Sequence, residues 1–234
     1  MSTEEFLEQL DTRIAKYDLL CHPFYQAWSA GNLTREHLRE YARNYYHHVE
    51  AFPIYLAELA VRLDESELRQ AVLANMADEK GMADASGEES VPHSELWLDF
   101  AEGMGSGRDM RGHAPVPEIN ELTAFFHRVS SAGTPEEALA AFYAYESQVP
   151  RVAKEKQRGL REMYGADDRV NAYFTLHTTV DVFHSRVWRR ELGKRLATNP
   201  QAADKALAAG ENAAKMLWHA LDGIEAQRMQ KSAA

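Results

Sequence analysis

His177, Asp181 and His184 recur at i, i+4 and i+7, a spacing that puts three side chains on one face of a continuous α-helix. Two imidazoles and a carboxylate arranged this way suit a divalent first-row metal such as iron or manganese. Phe174, Leu176, Val180, Val182 and Phe183 flank them, so the spacing predicts a buried stripe. A polar stripe on a packed helix is the alternative. Glu146 lies in Ala141-Phe142-Tyr143-Ala144-Tyr145-Glu146-Ser147-Gln148-Val149-Pro150. A carboxylate in such surroundings must be paired, protonated or bound to a metal. Glu79 and His93 are weaker signals: taken alone, the first reads as a solvated helix end and the second as the start of a helix. Long helices with inward carboxylates and histidines are the frame of two-metal carboxylate proteins. The paired Glu-x-x-His motifs of the four-helix version are absent from this chain.

The elements that must position these residues are helical. Apolar residues recur at three- and four-residue intervals, with no convincing alternation, so the fold class is all-α. The pattern predicts helices over 3–17, 22–30, 34–51, 53–63, 65–83, 93–104, 117–132, 135–164, 168–197 and 200–227. Thr134-Pro135-Glu136-Glu137 has the form of a capping box with proline at the first helical position. Pro53 and Pro150 are each expected to kink or end a helix, because each removes a bond to the carbonyl four residues back. Residues 84–92 read as a Gly/Ser-rich loop. Residues 103–117, with four glycines and two prolines, read as a domain boundary or an active-site lid. No long polar linker divides the chain, so residues 1–234 are expected to form one domain.

Composition narrows the class. The 234 residues are 45% hydrophobic with a net charge of −10, which argues against nucleic acid or an anionic membrane as partner. No apolar run approaches the ~20 residues of a membrane span. One cysteine, Cys21, permits no internal disulfide, and with no apolar signal core at the N-terminus a cytoplasmic location is the simplest expectation. Cys21, beside Leu19 and Leu20, reads as a small core residue. His47 and His48 line a pocket or simply pack, and the aromatic residues at 41, 45, 46, 52 and 55 read as core. Lys156, within Lys154-Glu155-Lys156, reads by itself as a solvated lysine.

Several segments together resemble one family. They are His22-Pro23-Phe24-Tyr25, Tyr45-Tyr46-His47-His48-Val49-Glu50-Ala51-Phe52-Pro53, Asp78-Glu79 followed by His93-Ser94-Glu95-Leu96-Trp97, and Tyr143 to Arg151 with Lys156. The His177, Asp181 and His184 set completes the match. The chain resembles the family of the Chlamydia protein associating with death domains and its bacterial relatives, which are haem-oxygenase-like dimetal oxidases. The resemblance implies a haem-oxygenase-like bundle of seven to eight helices. It implies six metal ligands: Glu79, His93, Glu146, His177, Asp181 and His184. They would hold two irons, or manganese and iron, with dioxygen as co-substrate and an external reductant. The implied activity is formation of para-aminobenzoate for folate synthesis. The ring would come from Tyr25 and the amino group from Lys156, and Tyr145 would belong to the same catalytic set. A homodimer is compatible with this reading. Residues 80–92 form a longer connection between Glu79 and His93 than the family's, which leaves Glu88 or Glu89 as substitutes for Glu79. Two other readings stay open: a dimetal oxidase of an external fatty acid or amino acid, which needs an apolar pocket, and a protein-interaction module, which needs no metal.

Overall fold

The structure, a computed structural model, describes residues 1–64, 66–82, 89–110 and 112–232. The helices are α1 (Thr3–Ala15), α2 (Pro23–Ser29), α3 (Arg35–Ala60), α4 (Glu67–Glu79), α5 (His93–Gly103) and α6 (Pro117–Ser131). They continue as α7 (Pro135–Glu146), α8 (Val149–Met163), α9 (Asp168–His177), α10 (Val180–Thr198) and α11 (Ala203–Ser232). No strand occurs among the described residues, and no helix there is long and apolar enough to cross a membrane. This segmentation is finer than seven to eight helices because two predicted long helices are each interrupted, as described below.

The central element is α7. Glu136 and every residue from Ala138 to Glu146 are buried, as expected of a helix apolar on all faces. Its small residues Ala138, Ala140, Ala141 and Ala144 let α11 and α10 approach closely. Gly210 of α11 serves the same contact: a Cβ there would meet Leu10 Cδ1 at 2.4 Å and the Ala140 carbonyl at 3.2 Å. A second layer forms where α3 packs on α4, α5 and α6, while α9 lies against α5 and α8. The apolar core is one cluster running from Phe6 to Ile224.

The capping box at Thr134 forms as the sequence implies, with Glu137 bonded back to the Thr134 amide. Four expectations need correction. Pro53 does not end its helix: α3 runs through it from Arg35 to Ala60. Burial of Val49, Phe52, Tyr55, Leu56 and Leu59 on both sides outweighs the one lost bond. The helix expected over 135–164 is not continuous: α7 ends at Glu146 and α8 starts at Val149, so of the kink or break expected at Pro150 the break is what occurs, with Pro150 in the first turn of α8. The buried Gln148 side chain stitches that break, accepting from the Leu19 amide at 3.0 Å and donating to the Ala144 carbonyl. Cys21 is exposed rather than core, because a 3-10 turn over Leu19–Cys21 buries Leu19 and turns the next residues outward. The 103–117 connection is no lid over the candidate residues. Arg108 ties it to Glu95 and Asp99 of α5, and Asn44 of α3 accepts from the Val116 amide. There it frames a separate surface pocket with Tyr46, His47 and Glu50.

Candidate metal centre

Helix ends build this site. Glu79, Glu146 and His177 are the last residues of α4, α7 and α9, His93 is the first of α5, and Asp181 and His184 lie in the first turns of α10. Three C-terminal ends bring partial negative charge to this region and two N-terminal ends bring partial positive charge, so the side chains rather than the helix dipoles set its preference for a cation. α4 stops at Glu79 for a local reason. Gly81 sits at φ +64°, its amide bonds the Asp78 carbonyl, and the Met82 amide bonds the Ala77 carbonyl, a left-handed glycine cap. A Cβ at Gly81 would lie 2.3 Å from the Ser90 carbonyl oxygen, so no other residue fits where the loop returns.

The stripe reading of residues 177–184 needs revision. The helix is interrupted at Thr178 and Thr179, and the three side chains do not share one continuous face. Instead they divide between two groups. Glu79, His93 and His177 present ligand-type atoms within 4.8 Å of one another, as do Glu146, Asp181 and His184. All six side chains are buried. The groups adjoin: the His93 and His177 rings are 4.7 Å apart, and Asp181 lines one small cavity together with Glu79 and His177. Glu89, the substitute for Glu79 that falls within the described residues, is exposed; Glu88 lies outside them.

The electrostatics are those of crowded, desolvated ligands. Burial pushes the Glu146 carboxyl up, and the Asp181 and Glu79 charges add to this against the opposing effect of His184. For Glu79, burial is outweighed by the imidazoles of His93, His177 and His184, and its carboxyl is held low. His184 is raised despite burial by Asp181, Asp78 and Glu146, and His93 is raised despite burial by Glu79. His177 is lowered, chiefly by burial. Glu146 accepts from Asn75 Nδ2 at 3.0 Å and from the Trp188 indole.

The buried atoms left without a hydrogen bond test whether a metal fits. They include His93 Nδ1, His184 Nδ1 and Asp181 Oδ2. His93 Nδ1 lies 2.8 Å from Glu79 Oε2, so these two ligand-type atoms face each other directly. Orphaned buried donors and acceptors are costly. Here they face one another within two nitrogen and oxygen sets, which is what a first-row divalent ion takes up. The residues fit a dimetal centre.

Beside this centre lies an aromatic chamber. Lys156 Nζ is 4.5 Å from the centre of the Tyr25 ring and 4.7 Å from that of Tyr41, and donates to Tyr41 Oη. The Tyr25 and Tyr41 hydroxyls are 3.0 Å apart. No carboxylate pairs with Lys156 among the described residues. Burial lowers its amine well below the usual lysine range and raises the Tyr25 phenol. Lys156 is therefore buried, not the solvated residue its local sequence suggests. Tyr145 and Tyr173 line both the chamber and the small cavity beside Glu79, His177 and Asp181. Tyr173, Asn75 and Trp188 were not singled out from sequence, and Tyr41 and Tyr45 were read there as core aromatics rather than as lining of a site. Tyr173 carries one signal, four residues before His177, where its carbonyl accepts from Nδ1 at 2.7 Å. His48, buried among Phe52, Tyr55, Phe126 and Tyr145, packs.

Fold and site together define an all-helical oxidoreductase with a candidate dimetal centre. The model of an iron-containing redox enzyme matches residues 39–218, and the chain belongs to that haem-oxygenase-like family. It is 39% identical over 222 residues to a 4-aminobenzoate synthase of Chlamydia muridarum, covering 94% of this chain and 89% of that protein. It is 36% identical to a 4-aminobenzoate synthase of Nitrosomonas europaea, covering 96% and 92%. A haem-oxygenase-like domain of unknown function from Shewanella denitrificans shares the fold, with a TM-score of 0.79 at 17% identity over 100% of this chain and 97% of that one.

Proposed function

We propose that this enzyme forms 4-aminobenzoate for folate synthesis, taking the ring from Tyr25 and the nitrogen from Lys156. Glu79, His93, Glu146, His177, Asp181 and His184 hold two divalent metals, iron with iron or manganese with iron, in one domain spanning 1–234. The observation that carries this reading is the Lys156 amine set 4.5 Å over the Tyr25 ring in a small aromatic-lined chamber. The two curated relatives at 39% and 36% identity support the product.

The bound metals supply the oxidising power of dioxygen, with an external reductant. The chain's own residues do the rest. The product keeps the ring and one carbon of a tyrosine side chain, so the Cα–Cβ bond of Tyr25 breaks and Cβ is oxidised to the carboxyl. The Lys156 nitrogen would replace the phenol oxygen, which leaves as water. The Nζ–Cε bond would then break by hydrolysis, leaving Cε as an aldehyde and its two electrons on the ring that dioxygen had oxidised. A desolvated lysine holds its amine neutral, with a lone pair available to the ring. Tyr41 bridges the two partners, accepting from Nζ and bonded to Tyr25 Oη, and so fixes their approach. Tyr145, with Tyr173, stands between the chamber and the cavity beside the ligand residues, lining both.

An external fatty acid is disfavoured by volume. Drug-sized ligands occupy roughly 300–1,000 Å³. The chamber measures about 20 Å³, the cavity at Glu79 about 10 Å³ and an apolar pocket beside His184 about 170 Å³. The first two hold about one water each. The test is Tyr25→Phe. Loaded with metal, reduced and exposed to dioxygen, it keeps its metal content and releases no 4-aminobenzoate; product at the wild-type level from this variant overturns the self-derived ring.

A further inference from the structure

We infer that Asp78 is a positioning residue for the metal centre: its carboxylate orients the His184 imidazole so that Nδ1, not Nε2, is the ligand atom. The inference rests on the six-residue ligand set proposed above. Asp78 Oδ2 lies 3.2 Å from His184 Nε2. On the other side of the ring, Nδ1 is buried without a hydrogen bond and lies 3.8 Å from both Glu146 Oε1 and Asp181 Oδ1. One nitrogen is thus committed to an outer carboxylate, and the other faces the two carboxylates of its group. Accepting from Nε2–H selects the tautomer with its lone pair on Nδ1.

The neighbouring imidazole shows the same device with the nitrogens exchanged. His177 Nδ1 is bonded to the Tyr173 carbonyl, which leaves Nε2 for a metal. Two histidines separated by the break at Thr178 and Thr179 therefore need opposite ring nitrogens, and each has an acceptor on its far side. Outer partners of this kind orient metal-bound histidines and raise their basicity.

Asp78 is suited to the role without being a ligand. Its side chain is 52% exposed, and it borders the apolar pocket formed with Phe183, Val187 and Trp188 between α4 and α10. It contributes little to the core, so its replacement leaves the metal-free fold intact. It also precedes Glu79 directly. Adjacent residues of one helix end thus serve the two groups differently: Glu79 from within the first, Asp78 from behind the second.

Zinc, a diamagnetic ion, is the probe. In the zinc-loaded wild type, nitrogen-15 histidine spectra should show His184 bound through Nδ1 with Nε2 protonated, and His177 bound through Nε2. Asp78→Ala should weaken one of the two zinc ions by about 10- to 100-fold and leave the other unchanged. Asp78→Asn, which retains an acceptor oxygen, should fall between. His184 bound through Nε2 overturns the inference, as does Asp78→Ala binding both ions as the wild type does or losing both equally. Fewer than two zinc ions in the wild type, with His184→Ala no different, instead overturns the ligand set beneath it. The wild-type spectrum decides the ring orientation even if a variant fails to fold.

Discussion

Lys156 is buried without a carboxylate partner among the described residues, and that placement is costly. A lysine buried among aromatic rings loses the hydration of its charge, and the attraction of the rings for a cation recovers only part of it. Its folded pKa therefore lies well below the ordinary value, the cause being burial. The sign of the pH effect follows. Between the folded and unfolded pKa values the unfolded chain binds a proton that the folded chain does not, so stability rises with pH across that window. Each unit of depression corresponds to ~1.4 kcal/mol. Lys156→Met should accordingly be more stable than the wild type near neutral pH, with a gain that shrinks as pH climbs toward ~10. Tyr41 keeps its bond to Tyr25 in that variant, so no new orphan is made. Urea unfolding of metal-free protein across this range checks it; a difference independent of pH contradicts the neutral buried amine. Sequence could not supply this placement from periodicity alone. Lys154-Glu155-Lys156 has the composition of a solvated helix face, and only contact with α2 and α3 reveals the chamber. Glu146 was legible, because its own neighbours in the chain are apolar.

Among the elements, what could be read from sequence was where helices start. Thr134 and its capping box stand in the chain as local chemistry. The break after His177 was not legible. Thr178 and Thr179 carry neither the proline nor the glycine that marks a stop, and the interruption answers to where His177 and Asp181 must point. Packing between elements was equally hidden. Gly159 of α8 reads as a mild helix weakener. In the fold, a Cβ there would meet Trp28 Cδ1 and Nε1 at 2.8 Å, so glycine permits α2 to lie close against α8 beside Lys156. The Trp28 indole also donates to the Lys156 carbonyl at 3.4 Å. Gly159→Ala should therefore destabilise by about 1–3 kcal/mol, the usual cost of overpacking, although alanine is the better helix former. It should also lower product yield by shifting Trp28 and Tyr25. Chemical denaturation of the variant measures the first effect, and a neutral or stabilising result contradicts the close approach.

At the scale of the molecule, one apolar cluster surrounds two small cavities, and Tyr145 and Tyr173 line both of them. The all-helical class was legible because helical periodicity runs through the whole chain. The division of six candidate ligands into two groups was not, because it depends on five helix ends meeting in space. The chamber is too small for a substrate that diffuses in, so the central claim is that the substrate is part of the chain. The most direct measurement loads metal-free protein with iron, or with manganese and iron, under anaerobic conditions, then adds reductant and dioxygen with no organic substrate. Products and intact protein are then weighed by mass spectrometry. The account predicts at most one 4-aminobenzoate per chain, with mass lost from Tyr25 and nitrogen lost from Lys156 in the same molecules. Repeated turnover, or product formed while Tyr25 stays whole, contradicts it.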